Sequence, residues 1–389
     1  LKSAYKATFE TLLPKLVQPR SETISRLDVA IGLAPSYPVP SNVSRSAIFP
    51  TIQRLLDETY SLICSVAAHA KVELDFPGGL DVRIFMLDAR LDKVPESLVG
   101  NQCLFGPIVD VQTFVLSSRS YTALYSVEGE TGEAYLKSLV TAWQAQNKTA
   151  PPIHRLPSGP SISHPETSQE SVIEEGPVTT HKSVAVGGTF DHLHIGHKLL
   201  LTATILAADP SQSTQGGPRL ITVGITGDAL LVNKKYGAVV EPWATRQERS
   251  AAFIESILAF HPDLPSITTT EYFDEPGPNG KIVRVTYALP GREDSVTINY
   301  TQISDPFGPT ITDERISALV ISAETRAGGK AVNDKRTEKG WKELEVFEVD
   351  VLDAGVGEEG EEKKEKQGFE SKISSTEIRR RLQERGPAS

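Results

Sequence analysis

"VAVGGTFDHLHIGHKLLL", Val184–Leu201, decides the fold. An apolar run enters a Gly-Gly pair, and an apolar pattern at helical spacing leaves a turn that carries His192, His194 and His197. Strand, tight turn and helix in that order make the first unit of an open α/β sheet. Ligands of such sheets sit beyond the carboxyl ends of the strands, where this turn lies. Gly187 and Gly188 let the chain turn and let a ligand approach the backbone. The helix start offers free N–H groups and the positive end of its dipole, a setting for phosphate. Gly196 leaves room beside the helix for a base or sugar. His194 and His197, three apart, can face one ligand. The residues alone leave three readings open: a phosphate cradle, a zinc site on His192, His194 and His197, and a capped loop with surface histidines. The zinc reading lacks a supporting Cys, His or carboxylate pattern nearby, so no metal ligand is assigned. Neither a GxGxxG fingerprint nor a GxxxxGK[ST] loop occurs in the chain.

Outward from this stretch, strands and helices alternate. "RLITVGIT" (Arg219–Thr226), "SITTTEYF", "VTINYTQI", "ALVIS" and "LEVFEVDVL" read as strands, and Thr245–Phe260 as a long helix with Thr245 and Glu248 at capping spacing. The alternation predicts a Rossmann-like, doubly wound parallel sheet over residues 181–389. Two β-rich runs around "PGRE" predict a β-hairpin insertion near 281–300. "GEEGEEKKEK" marks a charged, solvated loop near 355–370. Residues 147–180 carry six prolines among Ser, Thr and Glu without apolar periodicity, the signature of a linker. Residues 1–146 read as a smaller α/β domain of unassigned role. Its helices are expected at Ser46–Ala70 and Glu133–Gln146, and its strands at "LDVRIFML" and "VDVQTFVL" (Val109–Leu116).

The formal net charge of −10 disfavours a nonspecific nucleic-acid binder. Only two cysteines, Cys64 and Cys103, exclude a disulfide framework and suggest a reducing, cytoplasmic setting. No run of about 18 apolar residues suggests a membrane span.

"GGTFDHLHIGH" resembles the first signature of the HxGH nucleotidyltransferases, with His194-Ile195-Gly196-His197 as the HxGH element. The fuller resemblance is to the eukaryotic-type phosphopantetheine adenylyltransferases, a domain of the animal coenzyme A synthases and a separate protein in fungi. "GDALLVNKK" (Gly227–Lys235), "DPFGPT" (Asp305–Thr310), "VISAETRAGGKAVNDKR" (Val320–Arg336) and "KISSTEIRRRL" (Lys372–Leu382) resemble further family segments in the same order.

The resemblance implies adenylyl transfer from ATP to 4′-phosphopantetheine, giving dephospho-coenzyme A and pyrophosphate. It implies His194 and His197 as donors to the ATP phosphates, and Lys234 or Lys235 as the holder of the incoming phosphate. It implies ATP or substrate contacts at Gly187, Gly188, Thr189, Phe190, Asp191, Gly196, Arg326, Asn333 and Arg336. Ser374, Ser375, Thr376 and Arg379 would form a second cradle, with Ser374 and Glu377 at capping-box spacing. His192 lies outside the motif and reads as a turn residue. Mg²⁺ is expected with ATP, held by phosphate oxygens and water. Other coenzyme A pathway enzymes are candidate partners; nucleic acid and membrane are not. A kinase domain follows the transferase in the animal protein. This chain ends at Ser389 without a P-loop, so a single transferase activity is expected. A nucleotidyltransferase for another phosphorylated small molecule and a non-catalytic nucleotide-binding scaffold are the alternatives.

Overall fold

The computed structural model describes residues 2–17, 23–33, 44–88, 105–117, 119–159, 179–210, 218–274, 280–289, 295–350 and 374–385. In chain order the first elements are α1 (Lys2–Leu16), β1 (Ser25–Leu33), α2 (Arg45–Ala70), β2 (Leu80–Asp88), β3 (Ile108–Asp110), α3 (Val111–Leu116), β4 (Leu124–Val127), α4 (Glu130–Ala145) and β5 (Ile153–Leu156). They are followed by β6 (Ser183–Gly188), α5 (Ile195–Ala207), β7 (Arg219–Thr226), α6 (Trp243–Leu258), α7 (Leu264–Ile267), β8 (Thr268–Phe273), β9 (Ile282–Ala288) and β10 (Ser295–Ile303). The last are β11 (Ala318–Ser322), α8 (Arg326–Glu338), β12 (Glu345–Val349) and α9 (Ser375–Arg385). The chain forms two compact units. The first comprises Leu1–Pro38, Glu58–Pro177 and Ser256–Leu264, and the second Val39–Asp57, Val178–Glu255 and Pro265–Ser389.

The first unit holds a parallel sheet β1-β2-β3 and a parallel pair β4-β5. Its core gathers Phe85, Val109, Phe114, Leu139, Trp143 and Phe260. The run "VDVQTFVL", expected as one strand, divides at Asp110: Ile108–Asp110 is β3 and the rest is α3. Asp110 stops the strand because its carboxylate accepts the N–H of Thr113 at 2.7 Å and the Thr113 hydroxyl at 2.7 Å, which caps the helix. Within the expected linker, Ile153–Leu156 pairs with Leu124–Val127 as β5; residues 160–178 lie outside the described residues.

The second unit is built on a seven-stranded sheet in the order β12-β11-β6-β7-β10-β9-β8. The strands from β12 to β10 run parallel, and β9 and β8 extend the sheet antiparallel. β6 lies centrally with Val184, Ala185 and Val186 buried, as a parallel strand covered on both faces requires. α5 carries the chain from β6 to β7, and α8 carries it from β11 to β12 in the opposite direction. Right-handed connections therefore put the two helices on opposite faces. α8 lies so close to β11 that a Cβ on Gly329 would meet Ile321 Cδ1 at 3.2 Å. The order reverses between β6 and β11, so the doubly wound, Rossmann-like arrangement opens a crevice at the ends of these two strands. The expected hairpin near 281–300 is β9 and β10. It belongs to the sheet, since β10 pairs directly with β7.

α6 starts at Trp243, two residues before the expected Thr245 cap, and its first N–H donates to Asp228 Oδ2 at 3.2 Å. The charged run near 355–370 lies outside the described residues, as does Cys103; Cys64 is buried. Among the described residues no helix is long and apolar enough to cross a membrane.

Residues 44–57 take part in this second unit. The Asp209 carboxylate accepts the N–H of Arg45 and the N–H of His181, each at 2.7 Å, and the ring of Phe49 lies 4.6 Å from that of Phe347. Replacing Asp209 by Ala leaves two buried N–H groups without an acceptor. Urea unfolding should report a loss of about 2–4 kcal/mol.

Candidate active site

The turn from β6 to α5 is held in shape by buried polar contacts. Phe190 and His192 both take positive φ, 52° and 47°. Phe190 is fully buried and its ring lies 5.4 Å from that of His197. Asp191 is also fully buried. Its Oδ2 meets Arg379 Nη1 at 2.6 Å, and its Oδ1 accepts the N–H of Glu241 at 2.9 Å. This ion pair brings α9 to the turn. There the Ser375 hydroxyl donates to the Asp191 carbonyl at 2.9 Å and lies 3.2 Å from His194 Nε2.

His194 is the N-cap of α5, its Nδ1 accepting the Gly196 N–H at 3.2 Å. A Cβ on Gly196 would stand 3.2–3.3 Å from the His194 ring. The motif glycine therefore makes room for the capping histidine. The rings of His194 and His197 stack with centroids 3.9 Å apart. Desolvation, then the charges of His197 and Lys198, holds the His194 pKa well below 6.5. Desolvation outweighs the attraction of Asp191 and pushes His197 down to about 4. Both imidazoles are therefore neutral at pH 7. Nδ1 of His197 is buried without a hydrogen-bond partner among the described residues.

His192 faces away from this pair: its Nε2–H donates to the Val239 carbonyl at 2.7 Å and its N–H to Glu241 Oε2 at 2.9 Å. Asp191, His192 and Glu241 do bring ligand-type atoms within 4.8 Å of one another. Their carboxylates are already engaged, Asp191 by Arg379 and Glu241 by Arg249 at 2.9 Å. A dication would have to displace two guanidiniums, so the trio reads as an ion-pair knot.

Gly187 is exposed at the strand end, with open space where a Cβ would stand, and Gly188 and Thr189 follow it at the crevice. Ser374 caps α9, accepting the Glu377 N–H at 3.3 Å. Thr376 Oγ1 accepts from Arg379 Nη2 at 3.1 Å. Lys234 and Lys235 are exposed on the loop after β7, and neither ammonium makes an ion pair among the described residues. The Lys235 carbonyl accepts Arg379 Nε at 3.0 Å, which ties that loop to α9.

Three expected phosphate contacts are engaged elsewhere. The Arg336 guanidinium donates to the carbonyls of Lys342, Thr310, Glu314 and Ile316, so it braces the loop before β11. The Asn333 amide bridges the N–H and carbonyl of Leu344 at 2.9 and 3.0 Å. Arg326 is exposed and paired with Glu348.

Sequence reasoning passed over Arg246, which is fully buried. It donates to the carbonyls of Thr189 (2.6 Å), Thr226 (2.8 Å) and Glu241 (2.8 Å), and to Asp228 Oδ1 at 2.6 Å. One guanidinium thus fastens the turn after β6 to the end of β7. The signal was present: Arg246 sits at helical spacing from Phe253, Ile254 and Ile257, a charge on the apolar stripe.

Comparison with known proteins bears on this arrangement. Residues 1–162 match the family described as Domain of unknown function (DUF8446). The chain is 30% identical over 203 residues to the phosphopantetheine adenylyltransferase of Pyrobaculum aerophilum, covering 92% of that protein and 52% of this chain. The chain belongs to the phosphopantetheine adenylyltransferase family. It is also 35% identical over 226 residues to the phosphopantetheine adenylyltransferase of Saccharomyces cerevisiae (57% of this chain, 56% of that protein). It is 31% identical over 222 residues to an uncharacterized protein of Schizosaccharomyces pombe (57% of this chain, 54% of that protein). The matches thus span little more than half the length of these two yeast relatives.

Two outcomes follow for this family member. Arg379→Ala leaves Asp191 buried and unpaired and should cost about 3–5 kcal/mol in denaturant unfolding, with Asp191→Ala in the same chain recovering part of the loss. In the free protein the His197 ring should titrate by NMR near pH 4. The unfolded chain takes up this proton near 6.5 and the folded one does not. The contribution to stability is therefore complete above 6.5 and is lost as pH falls towards 4.

Proposed function

We propose that the chain transfers the adenylyl group of ATP to 4′-phosphopantetheine, giving dephospho-coenzyme A and pyrophosphate. The observation that carries this reading is the stacked pair of neutral imidazoles at the N-terminus of α5, beside the N-terminus of α9. Family membership supports the substrate class proposed here.

The chemistry suits such a site. A phosphate oxygen of 4′-phosphopantetheine, already anionic, attacks the α-phosphorus of ATP, and the bond to the bridging oxygen of pyrophosphate breaks. No strong base is needed, so the protein's work is alignment and stabilisation of the charge gathering on the phosphates. Nδ1 of His197 is buried and has no partner among the described residues, and in this reading the ring carries its proton on Nε2, a donor to the transferring group. The free N–H groups and dipole at the start of α5 favour the same charge. Lys234 or Lys235 meets the incoming phosphate, and the start of α9 meets the ATP phosphates. Mg²⁺ enters as part of the nucleotide substrate, held by phosphate oxygens and water.

Purified full-length protein given MgATP and 4′-phosphopantetheine should release pyrophosphate. His197→Ala should lower kcat by about 10²–10³-fold. Absence of turnover here, with turnover of nicotinamide mononucleotide or phosphocholine and its own nucleotide, would overturn the substrate. ATP binding without turnover of any of them would favour a scaffold.

A further inference from the structure

We propose that β8 is a self-association edge: two copies of this chain join through it, antiparallel about a two-fold axis at Thr270, so that their two seven-stranded sheets become one continuous sheet.

β8 ends its sheet. Among the described residues it pairs with β9 on one side and with no strand on the other. Every residue of Thr268–Phe273 except Glu271 is β-branched or aromatic, the types that favour a strand. Edge strands are ordinarily kept single by lysine, proline or a bulge. β8 has no lysine and no proline, and its register with β9 runs unbroken from Thr268 to Phe273. The opposite edge of the sheet is guarded. On β12, Glu345 is held by His181 and Thr179, Glu348 by Arg326, and Phe347 packs on Phe49.

The uncovered surface is continuous with the core. Thr268, Thr270 and Tyr272 oppose Tyr287, Val285 and Val283, so they share the face on which these β9 residues are buried. Cover of that face stops at β9: Thr270 is exposed, and Tyr272 is 74% exposed.

Symmetry and charge select the partner and the register. Side chains alternate along a strand, and directly opposed residues share a face. A two-fold axis between antiparallel copies must therefore pass where one residue opposes itself. An axis at Thr270 or at Glu271 gives the longest overlap within Thr268–Phe273. Glu271 at the axis would set two carboxylates directly opposite one another, an unfavourable pair. Thr270 at the axis opposes its own copy, with Thr269 against the partner's Glu271 and Thr268 against the partner's Tyr272. Threonine pairs and aromatic–β-branched pairs are favourable across strands. Glu271 keeps Arg284 of its own chain, 3.7 Å away, so its charge stays balanced. One strand thus supplies both halves of a complementary contact, which makes a second copy the occupant.

Analytical ultracentrifugation of the full chain, in a concentration series up to about 100 μM, tests this. The wild type should move to twice the chain mass as concentration rises. Thr270→Lys places two ammoniums at the axis and should keep the single mass throughout, as should Thr270→Glu. Mixed in equal amounts, these two variants should return to the doubled mass, because lysine then opposes glutamate. Far-UV circular dichroism should match the wild type in both, since Thr270 is exposed. A wild type that stays at the single mass overturns the proposal. So does doubling that persists in Thr270→Lys, or a mixture that fails to double. The readout is mass, so it is independent of adenylyl transfer.

Discussion

The second unit depends on the ion pair between Asp191 and Arg379. Its partners are 188 residues apart, both buried, with 2.6 Å between the charged atoms. Taking two charges out of water is costly, and the cost is offset only where geometry is good and the remaining polar atoms are paired. Here they are. Asp191 also holds the Glu241 N–H, and Arg379 also reaches the Lys235 carbonyl and the Thr376 hydroxyl. One contact thus gathers the turn after β6, the lysine loop after β7 and the last helix around a single crevice.

A division among the cations follows. Arg246, Arg336 and Arg379 are buried, and their guanidiniums serve carbonyls and carboxylates of the fold. Guanidinium suits this work because its five donors are fixed in a plane and it does not lose its charge. Lys234 and Lys235 are left exposed on the loop after β7. The chain carries a formal charge of −10, so under the proposed function attraction of the phosphates would come from such local groups and from helix termini rather than from the whole surface.

The stretch Val184–Leu201 was highly legible because its signals are local. An apolar run, a Gly-Gly turn and a helix start each depend on neighbours in sequence, and the sheet that follows from them is present. Ser374 as the cap of α9 was legible for the same reason. Some of what escaped was local, a helix cap at Asp110 inside an apolar run; the rest depended on partners distant in the chain. Asp110 ends a strand that continued apolar character would have prolonged. Arg336 and Asn333 carry the residue types of phosphate ligands, yet their targets are backbone groups brought near by folding. The participation of residues 44–57 in the second unit had no compositional trace.

That participation bears on how the chain assembles during synthesis. Arg45 meets Asp209 across 164 residues, and Asp191 meets Arg379 across 188. Contacts closed over such spans form late, because the entropy of a long loop is lost before the contact rewards it. On the ribosome, the segment that begins at Ser44 must wait for Asp209, and the β6 turn must wait for the last helix. The seven-stranded sheet can be laid down in the meantime, but the crevice is finished last.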